Sequence, residues 1–235
     1  MAVLSPLTGC SKGTPVAAPT PSPPASASGG AAQPTYDVET LGVPKLATSD
    51  YIDLASIGRI SRFRSSEGHD YHDDVESCRS MKHYFEPRTG VDWASVRITS
   101  PIQGTLLLTR DDFVGKQLVI QSSSQPAFTF ILFHVNPTVS LAAGTAYASG
   151  QSLGTHVGNQ TMSDIAVGVA TPGGYRLVSW FDIMSDAVYQ GYAARGLGSR
   201  ADAVITRAAR DADPLTCNGE TFSSRGTLTS WLLLL

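Results

Sequence analysis

Six short β-rich runs, each bounded by turn residues, occupy the middle of this 235-residue chain. They are ASVRITS (94–100), GTLLLT (104–109), KQLVIQ (116–121), AFTFILFHV (127–135), SDIAVGVA (163–170) and YRLVSWF (175–181). Runs of this length and spacing predict short strands in an antiparallel sheet, a sandwich or a barrel-like core. The TPGG stretch at 171–174 predicts a tight connection between the last two strands. The predicted fold class is therefore mainly β.

In the last sixty or so residues, the spacing of apolar side chains changes from that of strands to that of helices. Between residues 180 and 196, apolar side chains recur at helical spacing, and the run ends in Gly196. In the next run, residues 199–214, Ser199 is a candidate N-cap. The β core is thus expected to be followed by a helical C-terminal segment.

The composition divides the chain into two parts. Residues 1–34 are dominated by Pro, Ala, Ser and Gly, which is typical of an extended, disordered linker. From there the composition turns globular, and 42% hydrophobic residues allow one sizeable core. We therefore expect a single globular domain over 35–235, with its core at about 60–170 and its helical part at 178–235.

The N-terminal LTGC, ending in Cys10, resembles the bacterial lipobox, in which the cysteine is lipidated. The resemblance implies an exported, lipid-anchored protein on the periplasmic or extracellular face of the bacterial cell envelope. The alternative is a chance match in a flexible tail. If Cys10 is acylated, Cys78 and Cys217 remain, as a disulfide or as two separate buried thiols.

The charge balance bears on the partners of the chain. A net charge of −3 and a pI of about 5.9 give no electrostatic reason to expect nucleic-acid binding. No apolar run approaches the roughly 20 residues that a membrane-spanning helix needs.

The stretch EGHDYHDD, residues 67–74, concentrates the candidate site residues. His69 and Asp73 lie four apart, and an imidazole and a carboxylate this close can share one divalent metal. A third ligand must then come from elsewhere. The alternative is a solvated acidic loop, and the pattern of a calcium-binding EF-hand loop is absent. The candidates for the third ligand are His83, His134, His156, Asp164 and Asp182.

The order of motifs beyond this loop resembles the lysostaphin-type zinc metallopeptidases, which cut peptidoglycan cross-bridges. GHDYHD is followed by ITSPIQGTLLL, by a strand ending in FHV, by AAGTAYASGQSLG and by SDIAVGV, over roughly residues 60–170. The glycine-spaced segment is the most specific part, and its Gly144, Gly150 and Gly154 would allow tight turns between very short strands. The resemblance implies the family's β fold, the so-called duplicated hybrid motif.

By this resemblance, His69 and Asp73 match the first two metal ligands, and His134 matches the histidine beside the metal-bound water. The family's H-x-H motif is missing, because Met162, Ser163 and Asp164 stand in its place. Alternate residues of a strand share a face, and the resemblance implies that Asp164 would take the place of the ligand histidine.

The expected metal site is then His69, Asp73 and Asp164. Zinc is implied by the resemblance, whereas two carboxylates also suit manganese, magnesium or calcium. Catalysis would fall to His134, with help from His156. The alternatives are a hydrogen-bonded core histidine at 134, a turn residue at 156, and a loop-capping role for Asp164.

The loss of the H-x-H motif favours a degenerate peptidase-like domain that binds cell-wall peptide, glycan or a protein partner. The alternative is an active peptidoglycan endopeptidase with an altered His/Asp/Asp ligand set. A structural domain with a calcium-like site is a third hypothesis. The family's short connection after the loop is extended here to residues 74–98, which would place Lys82, His83 and Tyr84 near the site.

Overall fold

The computed structural model describes residues 34–235, and within them the chain is mainly antiparallel β-sheet with a small helical C-terminal part. The predicted fold class is thus confirmed. The lipobox-like motif and nearly all of the Pro/Ala/Ser/Gly linker lie outside the described residues. No helix in the described part of the chain is long and apolar enough to cross a membrane.

The strands include all six predicted ones and several that the sequence did not reveal. They are β1 Ile57–Ser61, β2 His83–Pro87, β3 Arg97–Thr99, β4 Gly104–Asp111, β5 Lys116–Ser122, β6 Phe128–Pro137, β7 Ala146–Tyr147, β8 Ser152–His156, β9 Ser163–Thr171, β10 Gly174–Val178, β11 Cys217–Asn218, β12 Thr221–Phe222 and β13 Trp231–Leu233.

Within residues 34–235, eleven strands form one sheet, whose main path runs β13-β1-β2-β9-β6-β5-β4-β7. Strand β10 pairs with β9, β8 pairs with β6 and β3, and β11 with β12 forms a separate hairpin. The pairing of Gly174 with Thr171 leaves a two-residue connection between β9 and β10, as the TPGG stretch predicts. Gly144, Gly150 and Gly154 all have positive φ, as expected of the glycine-spaced segment.

The helices are short: α1 Val38–Leu41, α2 Trp180–Ile183, α3 Asp186–Ala193 and α4 Arg207–Ala212, with 3₁₀ turns at Leu54–Ser56, Trp93–Ser95 and Arg200–Ala203. Each predicted C-terminal helical run is interrupted. The first breaks after Ile183, where Ser185 caps α3 by accepting a hydrogen bond from the Val188 N–H. In the second, Val204 leaves the helical conformation to form a bridge with Phe63.

The main hydrophobic core lies on one face of the sheet, where strand side chains pack with Trp93, Trp180 and Phe181. A smaller apolar cluster lies apart from it and consists of Phe63, Tyr71, Met81, Val119, Ile131, Phe133, Ala166 and Leu177. Cys78 and Cys217 form a disulfide with a Cα–Cα distance of 5.7 Å. This disulfide joins the loop that carries the EGHDYHDD stretch to the β11–β12 hairpin.

Candidate functional site

Strand β9 places Asp164 on the face opposite the main core. Ile165, Val167 and Val169 belong to the main core, and Asp164 alternates with them along the strand. Ala166, two residues further on, belongs to the smaller apolar cluster. The Asp164 side chain is fully buried there, so its charge needs a partner.

That partner is Lys82. It directly precedes β2, and β2 pairs with β9 so that Tyr84 lies opposite Asp164. Lys82 Nζ is 2.5 Å from Asp164 Oδ2, and the two side chains are 2% and 0% exposed. The sheet register therefore forms a fully buried ion pair.

Aromatic rings surround the ammonium group of Lys82. Nζ lies 4.0 Å from the ring centroid of Phe133, 4.7 Å from that of Tyr71 and 5.1 Å from that of Tyr84. Burial acts to lower the pKa of Lys82, but the charge of Asp164 and the contact with Tyr84 outweigh it and leave the pKa above its ordinary value. These contacts favour the charged form of the side chain, which is held among aromatic faces.

His69 contacts the same ammonium from the other side. Its Nε2 is 3.1 Å from Lys82 Nζ, and its Nδ1 is 2.9 Å from the carbonyl oxygen of Asp70. Burial and the charge of Lys82 lower the pKa of His69, so the ring is a neutral acceptor towards Lys82 and a donor towards Asp70. Gly68 lets the loop that carries His69 pass close to Tyr84, since a Cβ at that position would lie 2.1 Å from the Tyr84 hydroxyl.

His134 completes the cluster at an irregular point of β6. Its φ is +57°, where β6 changes partner from β9 to β8. Its Nε2 is 3.3 Å from Asp164 Oδ1, while its Nδ1 is 3.1 Å from the Val114 carbonyl oxygen and 3.3 Å from Asp112 Oδ2. The imidazole thus lies between two carboxylates, of which Asp112 was not anticipated from the sequence.

The structure does not bring Asp73 into this cluster. Its Oδ1 accepts hydrogen bonds from the backbone N–H groups of Val75 and Glu76, both at 2.9 Å. Its Oδ2 accepts one from Leu177 N of β10 at 3.1 Å. Aspartate readily forms such turn contacts, so the spacing that indicates a metal ligand here builds a loop instead.

Replacing Asp73 with alanine should therefore destabilise the fold. We expect the free energy of unfolding to fall by about 2–3 kcal/mol, because three backbone donors lose a charged acceptor. Urea denaturation followed by circular dichroism measures this change. Asp111, whose side chain is 87% exposed, provides the control, and Asp111→Ala should change stability by less than about 0.5 kcal/mol. Equal effects of the two substitutions would contradict the assigned role.

His156 is fully buried beside Trp93, with the ring centroids 4.3 Å apart. Its Nδ1 accepts a hydrogen bond from Gly158 N at 3.2 Å, and burial lowers its pKa to about 4. A neutral ring with no exposed surface is not placed to exchange protons with a ligand. Its contacts favour a packing role over the predicted catalytic one.

The arrangement does not fit a divalent metal. Among residues 34–235, no group of three or more His, Cys, Asp or Glu side chains is arranged to hold one. Lys82 Nζ contacts both His69 Nε2 and Asp164 Oδ2, so an ammonium group stands between these two candidate ligands. Another candidate ligand, His83, is engaged with the Ser61 carbonyl and the Ser179 hydroxyl.

Sequence reasoning placed Lys82 near the site but gave it no role. The signal that could have identified it is the alternation in MKHYFEP, where Lys82 and Tyr84 share a strand face. A lysine on such an apolar strand needs a buried anion, and Asp164 is the anion that lies within SDIAVGVA.

No protein-family model and no curated protein matches the chain. Among solved structures, a chain of the SpoIIQ-SpoIIIAH pore forming complex matches with a TM-score of 0.42 and 11% identity over 62% of this chain and 96% of its own length. A Pseudomonas aeruginosa protein described as a "putative peptidase M23" matches with a TM-score of 0.36 and 19% identity over 60% of this chain. The match spans 54% of that second protein.

Proposed function

We propose that this chain is a non-hydrolytic, peptidase-like binding module of the bacterial cell envelope, which recognises peptidoglycan through its peptide or glycan. The observation that carries the proposal is the hydrogen bonding of the Asp73 carboxylate. Both of its oxygens accept backbone N–H groups, so it is not available to a catalytic metal. The lysostaphin-like order of motifs supports the choice of ligand.

The other polar groups support the same conclusion. Asp164 is neutralised by Lys82, and His156 is buried against Trp93. Hydrolysis of an amide needs an activated water and a group that exchanges protons with it. The groups expected to do this in the peptidase family are engaged here in contacts within the protein, whereas a binding site needs only shape and polar complementarity.

The disulfide and the N-terminal motif support the location. Disulfides persist in oxidising compartments outside the cytoplasm, and Cys78–Cys217 is one. Lipidation of Cys10 would then anchor the domain to the membrane through the Pro/Ala/Ser/Gly linker, within reach of the cell wall.

A second candidate function is a peptidoglycan endopeptidase with an altered site. The observation in its favour is the left-handed backbone of His134 together with the carboxylates on either side of its ring. Strained backbone of this kind clusters at functional sites. The two functions predict opposite results with intact cell walls.

Purified sacculi provide the test. We expect the protein to co-sediment with them and the turbidity of the suspension to stay constant, with or without added zinc. His69→Ala should weaken co-sedimentation, since the 38% exposed His69 side chain is the part of the cluster that a ligand can reach. His72→Ala is the matched control, because His72 contacts Asp70 rather than Lys82. Clearing of the suspension would favour the endopeptidase, and absence of co-sedimentation would contradict the binding module.

A further inference from the structure

We infer that a second site, a pocket lined by Asp182, binds a primary ammonium group carried on a short apolar chain. Residues of α1, β10, α2 and α4 contribute to this pocket, whose volume is about 290 Å³. Such a volume suits a small ligand, or one side chain of a larger ligand. None of the residues of the Lys82–Asp164 cluster lines the pocket, so the inference does not depend on the proposed function.

Apolar side chains form much of the pocket wall. Phe63 and Leu177 are buried members of the smaller apolar cluster, and Val38, Val43 and Val178 are partly buried against the main core. A methylene chain that lies against these side chains leaves water, and this burial favours binding.

Most of the charged groups that line the pocket already have partners. These partners are given by the ion pairs Arg64–Glu76 at 2.6 Å, Arg176–Glu39 at 2.5 Å and Arg207–Asp211 at 3.6 Å, and by the backbone N–H groups that bind Asp73. Four carboxylates and three guanidinium groups line the pocket, so one positive charge on the ligand makes the site neutral.

Asp182 is the carboxylate that lacks a partner. Within the part of the chain that the structure describes, its side chain forms neither a hydrogen bond nor an ion pair. The cations that act on it are engaged elsewhere: Lys45 Nζ donates to the backbone carbonyl of Asp182 at 2.5 Å, Arg200 pairs with Asp186, and Arg64 pairs with Glu76. Burial raises the pKa of Asp182 more than these cations lower it. The carboxylate is therefore stabilised by one further cation in contact with it.

Butylamine is the probe for this site, titrated into the full chain at neutral pH and followed through the backbone amide chemical shifts. We expect saturable binding with a Kd of the order of millimolar, as befits so small a ligand, and shifts centred on Asp182 and Leu177. Butanol and butyrate have the same chain without the positive charge, and both should bind at least tenfold more weakly.

Asp182→Asn keeps the shape of the side chain and removes its charge, so it should weaken butylamine binding at least tenfold. Asp186→Asn is the matched control, because the Asp186 side chain is 86% exposed and does not line the pocket. It should change the Kd less than twofold. Unaltered circular dichroism of both variants shows that the fold is kept.

Two larger amines distinguish the sources of such a group. In Nα-acetyl-lysine N-methylamide the amine belongs to a peptide side chain, whereas cadaverine is a free diamine. Binding of either that depends on Asp182 supports the inference, and the tighter of the two identifies the source. Equal binding of butylamine and butanol, no saturable binding of butylamine, or an unchanged Kd in Asp182→Asn would overturn it. The sacculus assay depends on His69, so the two proposals can fail independently.

Discussion

Replacing Lys82 with methionine should lower the free energy of unfolding by about 3–5 kcal/mol, because it leaves a buried carboxylate without its counter-ion. Asp164→Leu should have a comparable effect, since the fully buried Lys82 ammonium then lacks its anion. Both effects are a large part of the roughly 5–15 kcal/mol by which a domain of this kind is stable. Urea denaturation of the two single variants measures them.

The double variant Lys82→Met/Asp164→Leu should recover most of this loss, to within about 1–2 kcal/mol of the wild type. Two apolar side chains of similar size fit among Tyr71, Tyr84 and Phe133 without leaving a charge behind. The double-mutant cycle should give a coupling energy of several kcal/mol.

The exposed ion pair between Lys116 and Asp111, also at 2.5 Å, is the matched control. Its coupling energy should be less than about 1 kcal/mol, because water screens it. Similar coupling energies for the two pairs would contradict the burial of the Lys82–Asp164 pair away from water.

The second large effect concerns the disulfide. Cys78 and Cys217 are 139 residues apart in sequence, and the bond restricts the unfolded chain strongly. In the chain-entropy model, its loss should cost about 4–5 kcal/mol. Cys78→Ser/Cys217→Ser and reduction of the wild type should both lower the urea midpoint, and to the same extent. The reductant should have no effect on the double variant.

Loss of the disulfide should also affect the candidate site. The disulfide, the Asp70 N–H bond to the Glu220 carbonyl at 2.7 Å and the Arg79–Asp211 ion pair hold the His69 loop against the C-terminal region. We therefore expect amide hydrogen exchange around His69 to become faster in the reduced protein. An unchanged midpoint and unchanged exchange would show that the loop is held without the disulfide.

Much of the β structure could be predicted from local patterns. The strands β4, β5, β6 and β9 each carry a run of apolar and β-branched residues between turn residues, and this local signal is strong. Strands β2 and β13 carry a weaker local signal, and their pairing partners β9 and β1 are distant in sequence. The breaks in the helical runs also arise from tertiary contacts, since Met184 and Val204 form bridges with Ala47 and Phe63.

For the site, the residue types and the family resemblance predicted one cluster made of His69, Asp73, His134, His156 and Asp164. Only the tertiary structure decided what their contacts are. The register of β2 against β9 puts Lys82 beside Asp164. A backbone N–H at the edge of β10 donates a hydrogen bond to Asp73. A carboxylate can bind a metal ion, an ammonium group or an amide N–H, and the residue type does not specify which. Its partner depends on which group the folded chain brings within about 3 Å, and spacing along the sequence does not contain that distance.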